Sequence, residues 1–151
     1  MLLNSPLLAL SILCACGLAL TYRAARRKDI LTTLFTGGLT LTYLLLWISI
    51  PIVYMFSTWL ELFIITGVVA SINWEKEETK RNKFLIGTLG FWAAFATYGQ
   101  LNGWPYASET EVIGFIITLL FLFAFRPQHK SKYHYEYLLL ICVELVVRLL
   151  F

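Results

Sequence analysis

Charge is what this sequence has least of, and its absence is patterned. Only 14% of the 151 residues are Asp, Glu, Lys or Arg, against about 25% in soluble domains. Residues 1–22, 84–108 and 112–125 carry no charged side chain, and 30–74 carry only Glu61. No polar stretch is long enough to make a soluble domain beside these runs. Aspartate occurs once, as Asp29, and histidine twice, as His129 and His134. No Ser/His/Asp or Cys/His set, no HExxH and no glycine-rich phosphate loop is present, so no catalytic constellation and no cofactor are expected. The two histidines stand without a Cys or carboxylate cluster, which argues against a metal. An enzyme would have to work from Glu61 and the loop at 100–111 alone. The three cysteines, Cys14, Cys16 and Cys142, lie inside apolar segments. They exclude a disulfide framework, and one would be left over in any pairing.

What is abundant is apolar: 59% of residues are hydrophobic and the mean hydropathy is +0.74. A hydrocarbon core about 30 Å thick takes roughly 20 apolar residues per helix. The length therefore accommodates five or six spans and little else. The expected fold is all-α, a single polytopic transmembrane bundle over 1–151 with short loops. Its spans are expected at about 3–20, 30–50, 52–73, 84–99 and 112–125. A segment at 134–151 crosses as a sixth span or enters as a re-entrant helix, with a flat interfacial helix as the alternative. Leu13-Cys14-Ala15-Cys16 loosely resembles a lipoprotein cleavage site. No Lys or Arg precedes the apolar run, however, so a retained first span is expected.

Eleven of the twelve basic residues fall in three clusters. These are Arg23, Arg26, Arg27 and Lys28; Lys76, Lys80, Arg81 and Lys83; and Arg126, Lys130 and Lys132. Lys and Arg concentrate in short cytoplasmic loops. Clusters after alternate apolar runs therefore place the N-terminus outside and form one basic cytoplasmic face, facing anionic headgroups rather than nucleic acid. A bacterial inner (cytoplasmic) membrane location is expected. Residues 75–83 read as a polar loop. The reversal between the second and third spans falls either before Pro51, which is accepted in a first helical turn, or at Ser57-Thr58 with Pro51 as a kink. The first is preferred, because it gives two spans of adequate length.

Inside the apolar runs, charge is costly and normally finds a partner. Glu61, Glu144 and Arg148 are the intramembrane candidates. Glu144 and Arg148 stand four apart, acid first, the favourable helical arrangement, and Arg148 is expected to pair with Glu144 or Glu61. Small and hydroxylated residues recur at four-residue spacing: Ser11, Ala15 and Ala19; Thr36 and Thr40; Gly90 and Ala94; Gly114 and Thr118. Such stripes let helices approach closely in lipid. Trp47, Trp59, Trp74, Trp104, Tyr106, Tyr133, Tyr135 and Tyr137 read as an interfacial belt. The outer loop carrying Asn102, Trp104, Tyr106, Glu109 and Glu111 has no basic residue and offers the largest outward surface.

The expected function is a non-enzymatic membrane subunit: a scaffold, anchor or sensor, as a homo-oligomer or within a membrane complex. It would couple to a soluble cytoplasmic partner through the basic loops. The alternative is a small oligomeric channel, transporter or lysis-type pore, its path lined by the Thr-rich second span and Glu61.

Overall fold

The computed structural model describes residues 6–48, 50–73, 79–103, 105, 107–126 and 136–150. Among them are six α-helices and no strand: α1 (Pro6–Arg26), α2 (Ile30–Leu46), α3 (Pro51–Asn73), α4 (Lys80–Leu101), α5 (Ala107–Ala124) and α6 (Glu136–Leu150). Two helical segments, Leu7–Arg26 and Pro51–Ser71, are long and apolar enough to cross a membrane; Ile30–Leu46 is apolar but shorter.

Local chemistry sets the ends. Lys28 adopts φ 59°, a left-handed conformation of the kind that stops a helix. Asp29 follows in extended conformation and caps α2, its carboxylate accepting from the Thr32 amide at 3.1 Å and the Thr32 hydroxyl at 2.6 Å. Pro51 occupies the first position of α3, where its missing N–H costs nothing. Ser57 and Thr58 lie well inside that helix, so the chain reverses ahead of Pro51. The Thr79 hydroxyl accepts from the Asn82 amide at 3.2 Å at the start of α4.

Several boundaries differ from those expected. The basic residues near 80 do not sit in a loop: Lys80, Arg81 and Lys83 form the first turn of α4, and Arg23 and Arg26 the last turn of α1. The fifth helix starts at Ala107, five residues before the apolar run, with Glu109 in its first turn. Side-chain periodicity reports where apolar character stops, and these helices run on past that point.

Helices α1 to α5 pack in chain order, each against the next, and α6 closes the arrangement between α1 and α5 while also touching α2 and α4. Successive helices run in opposite directions. Thus the C-terminal end of α1 meets the start of α6 through Arg27 and Glu136, and the start of α4 meets the end of α5 through Asn82 and Arg126. All described basic residues except Arg148 gather at this one cationic end. The helix α6 is the most enclosed, with Leu138, Leu140, Ile141 and Leu145 buried. Tyr137 departs from the expected belt: it is fully buried, edge-on to Phe35 with ring centroids 5.8 Å apart. Trp47 and Trp59 are exposed. Trp74, Trp104, Tyr106, Tyr133 and Tyr135 lie outside the described residues.

Around an apolar core, large apolar side chains also stand at the surface while two glutamates are enclosed. Phe63 is 77% and Phe123 84% exposed, whereas Glu61 is 2% and Glu144 1% exposed. Close helix contact depends on glycine at two places. A Cβ on Gly17 of α1 would lie 2.3 Å from Thr40 Oγ1 of α2, and one on Gly90 of α4 would lie 2.1 Å from Val69 Cγ2 of α3. Both opposing side chains are β-branched and held in their rotamers. The small-residue stripes at these positions thus serve packing within the chain. Substituting Gly90→Val should therefore destabilise the bundle by about 1–3 kcal/mol, the cost of overpacking. A lowered unfolding midpoint, read by circular dichroism in detergent, checks this.

Candidate functional site

Four helices meet around a polar cluster away from the cationic end. Glu61 projects from the middle of α3, and Glu144 and Arg148 stand one turn apart on α6. Thr97 comes from α4 and Tyr43 from α2. The Arg148 guanidinium is the hub. Its Nε donates to Glu144 Oε1 at 2.8 Å. Its Nη2 reaches the same Glu144 oxygen, Glu61 Oε1 at 2.9 Å and Thr97 Oγ1 at 2.9 Å. The Thr97 hydroxyl in turn donates to Glu61 Oε1 at 2.7 Å, and the Tyr43 hydroxyl to Glu144 Oε2 at 2.7 Å. Arg148 thus pairs with both carboxylates that the sequence offered it as alternatives.

Hydrogen bonding at Glu61 is one-sided. Both of its N–H and O–H donors among the described residues fall on Oε1. The Glu144 carboxyl group lies within hydrogen-bonding reach of Glu61. Two acceptors thus face each other, with one guanidinium between two carboxyls. Buried charge is tolerated where it is paired and its lone pairs are satisfied; here the pairing leaves one acid in excess.

A cavity of about 470 Å³ opens beside this cluster. Glu61, Glu144 and Arg148 form its polar wall, Glu111 from the start of α5 joins them, and Tyr43, Trp47 and Tyr54 supply aromatic rings. Leucines of α1 complete the lining. A second recess, near Leu46, Pro51 and Leu101, is apolar in its side chains save for Tyr54.

Of the outer-loop candidates among the described residues, only Glu111 lines the cavity. Glu109 is exposed, and Asn102 is turned back onto its own helix, donating from Nδ2 to the Tyr98 carbonyl at 2.9 Å. Trp104 and Tyr106 lie outside the described residues. At the cationic end, Arg27 Nη1 lies 2.8 Å and Arg23 Nε 3.6 Å from Glu136 Oε1. Arg81 donates to the Ala124 carbonyl, and the Arg126 carbonyl accepts from Asn82 Nδ2 at 2.9 Å. Arg26, Lys28 and Lys80 are exposed, while Lys76, Lys130 and Lys132 lie outside the described residues.

The threonines of α2 bond back to their own helix. Thr36 Oγ1 donates to the Thr32 carbonyl and Thr40 Oγ1 to the Thr36 carbonyl, both at 2.7 Å, and Thr32, Thr36 and Thr40 are buried. Tyr43 and Thr97 were not singled out by sequence reasoning as site residues. A phenol buried in an apolar helix needs an acceptor, which was the available signal for Tyr43. Among the described residues, no group of three or more His, Cys, Asp or Glu has metal-holding geometry. No protein-family model, curated protein or solved structure matches this chain.

Removing Arg148 would strand two buried carboxylates. Arg148→Met should therefore cost about 3–5 kcal/mol at neutral pH, the usual penalty for breaking a buried pair from one side. The triple variant Glu61→Gln, Glu144→Gln, Arg148→Met should recover much of that loss. Denaturant unfolding of parent, single and triple variants in the same detergent checks the comparison.

Proposed function

We propose that this chain is a polytopic membrane protein whose six helices form one lipid-embedded bundle. It acts as a non-enzymatic membrane subunit coupling to a partner through its basic face. The observation that carries the reading is the placement of side chains: charge is sequestered inside, large apolar side chains such as Phe63 and Phe123 face outward, and cationic residues collect at one end. In water such a surface would aggregate. In lipid it is the stable arrangement, because apolar side chains meet acyl chains and intramembrane charge turns to the bundle interior.

The helices α2 and α6, with 17 and 15 residues, span about 26 and 23 Å at 1.5 Å per residue. Both are short for a 30 Å core, a mismatch that local thinning and flanking residues absorb at modest cost. Helix α6 is also walled by its neighbours, so most of its surface meets protein. With the cationic end in the cytoplasm, the N-terminus, the cavity mouth and Glu109 face outward. Arg26, Lys28, Lys80 and Arg81 are exposed on the inner face. They suit anionic headgroups and an acidic surface on a soluble or membrane partner.

A second reading, a small channel or transporter, is favoured by the cavity that reaches Glu61. Against it, the α2 threonines spend their hydroxyls on their own helix, which leaves the Thr-lined path without free polar groups.

Two measurements test the proposal. In intact cells, an impermeant maleimide should label a cysteine placed at Glu109 and leave cysteines at Arg26 and Lys80 untouched until the membrane is opened. Labelling of Arg26 or Lys80 positions from outside would overturn the orientation. Crosslinking in native membranes should capture a partner with the parent protein and lose it when Arg26, Lys28, Lys80 and Arg81 are all changed to Gln. Ion flux from liposomes holding the purified protein, abolished by Glu61→Gln, would instead establish the channel reading.

A further inference from the structure

The cavity beside Glu61 combines features that a purely structural ion pair does not need. Its floor has two buried carboxyls for one guanidinium. Glu61 takes both of its N–H and O–H donors on Oε1 among the described residues and otherwise faces only the Glu144 carboxyl, although it is 2% exposed and lines the cavity. The neighbouring group, Glu144, already accepts from Tyr43 and Arg148. A further carboxylate, Glu111, lies on the cavity wall, so the lining carries three acids against one base. Three aromatic residues, Tyr43, Trp47 and Tyr54, share the space.

We propose that this cavity is a binding site for a small organic cation, a protonated primary amine with an apolar body. The ammonium supplies what the floor lacks, N–H donors and one positive charge, and it sits against Glu61 Oε2 with Glu111 flanking it. Charge-assisted hydrogen bonds of this type are the strong ones. The aromatic rings add cation–π attraction, and the α1 leucines cover the apolar body. The volume, about 470 Å³, falls within the range of small-molecule sites and is far larger than a bare metal ion requires. The site goes beyond the subunit reading: it needs the cavity and its charge imbalance, and neither the basic face nor a partner.

The test uses the full-length protein in nanodiscs of zwitterionic lipid, so that headgroups offer no competing negative charge. Benzylamine is the probe, with benzyl alcohol and phenylacetate as neutral and anionic matches. Benzylamine should raise the unfolding midpoint and show saturation-transfer NMR contact with the protein, and the other two should do neither. Glu61→Gln should weaken benzylamine binding by about tenfold or more, the scale of one charge-assisted hydrogen bond. Because Glu61→Gln alters the hydrogen-bonded cluster that holds the helices, Glu111→Gln, at a carboxylate that makes none of the cluster's hydrogen bonds, provides the second variant and should weaken binding in the same direction. Equal binding of benzylamine and benzyl alcohol would overturn the proposal. So would unchanged benzylamine affinity in the folded variants. Absence of any benzylamine effect on the parent would also overturn it, leaving the excess acid neutralised by a proton alone.

Discussion

One guanidinium shared by two carboxyls holds this bundle in register. No Cα of α3 comes within 8 Å of one in α6, so these helices do not meet through backbone packing. Arg148 bridges them through its side chain, and the bridge holds only if α4 and α2 deliver Thr97 and Tyr43 to its flanks. Each hydrogen bond to the cluster consequently fixes the rotation of one helix about its axis. Apolar contacts alone tolerate sliding and repacking; a buried, hydrogen-bonded charge does not, because the penalty for leaving it unpaired is steep. The gap between α3 and α6 that the long arginine crosses is also where the cavity lies.

The two ends of the bundle solve opposite electrostatic problems. At one end, cations are exposed, and among the described residues they meet Glu136 and the carbonyls that end α5. At the other, acids are enclosed and only partly answered, by Arg148. The helix polarity does not explain the division. The cationic end holds the C-terminal ends of α1, α3 and α5 and the N-terminal ends of α2, α4 and α6. Side-chain placement along the chain accounts for it instead.

Much of the arrangement was legible in the sequence, and the part that was not has a physical cause. Charge-free runs and basic clusters mark where helices run and where they turn. The four-residue spacing of Glu144 and Arg148 places both on one face. Pro51 is suited to open a helix, and a helix opens there. Helix ends are less visible, because Lys80, Arg81, Arg23 and Arg26 are good helix formers whose charge resembles that of a loop. Which helices are neighbours is not encoded in periodicity, so the convergence of Tyr43, Thr97 and Glu61 on one arginine was beyond reach. Tyr137 was misplaced for the same reason: an aromatic near a helix end sits in the interfacial belt or in the core according to what packs over it, and here Phe35 does.

The distance along the chain between Glu61 and Arg148 has a bearing on synthesis. A ribosome that has delivered Glu61 must translate more than eighty further residues before the countercharge for that carboxylate exists. During this interval the nascent protein holds a polar defect in its half-built interior, the kind of flaw that chaperones and proteases act on. Arrival of the sixth helix both plugs the bundle and extinguishes that signal. Arg148 is thus the group that closes a long-standing polar gap in the fold.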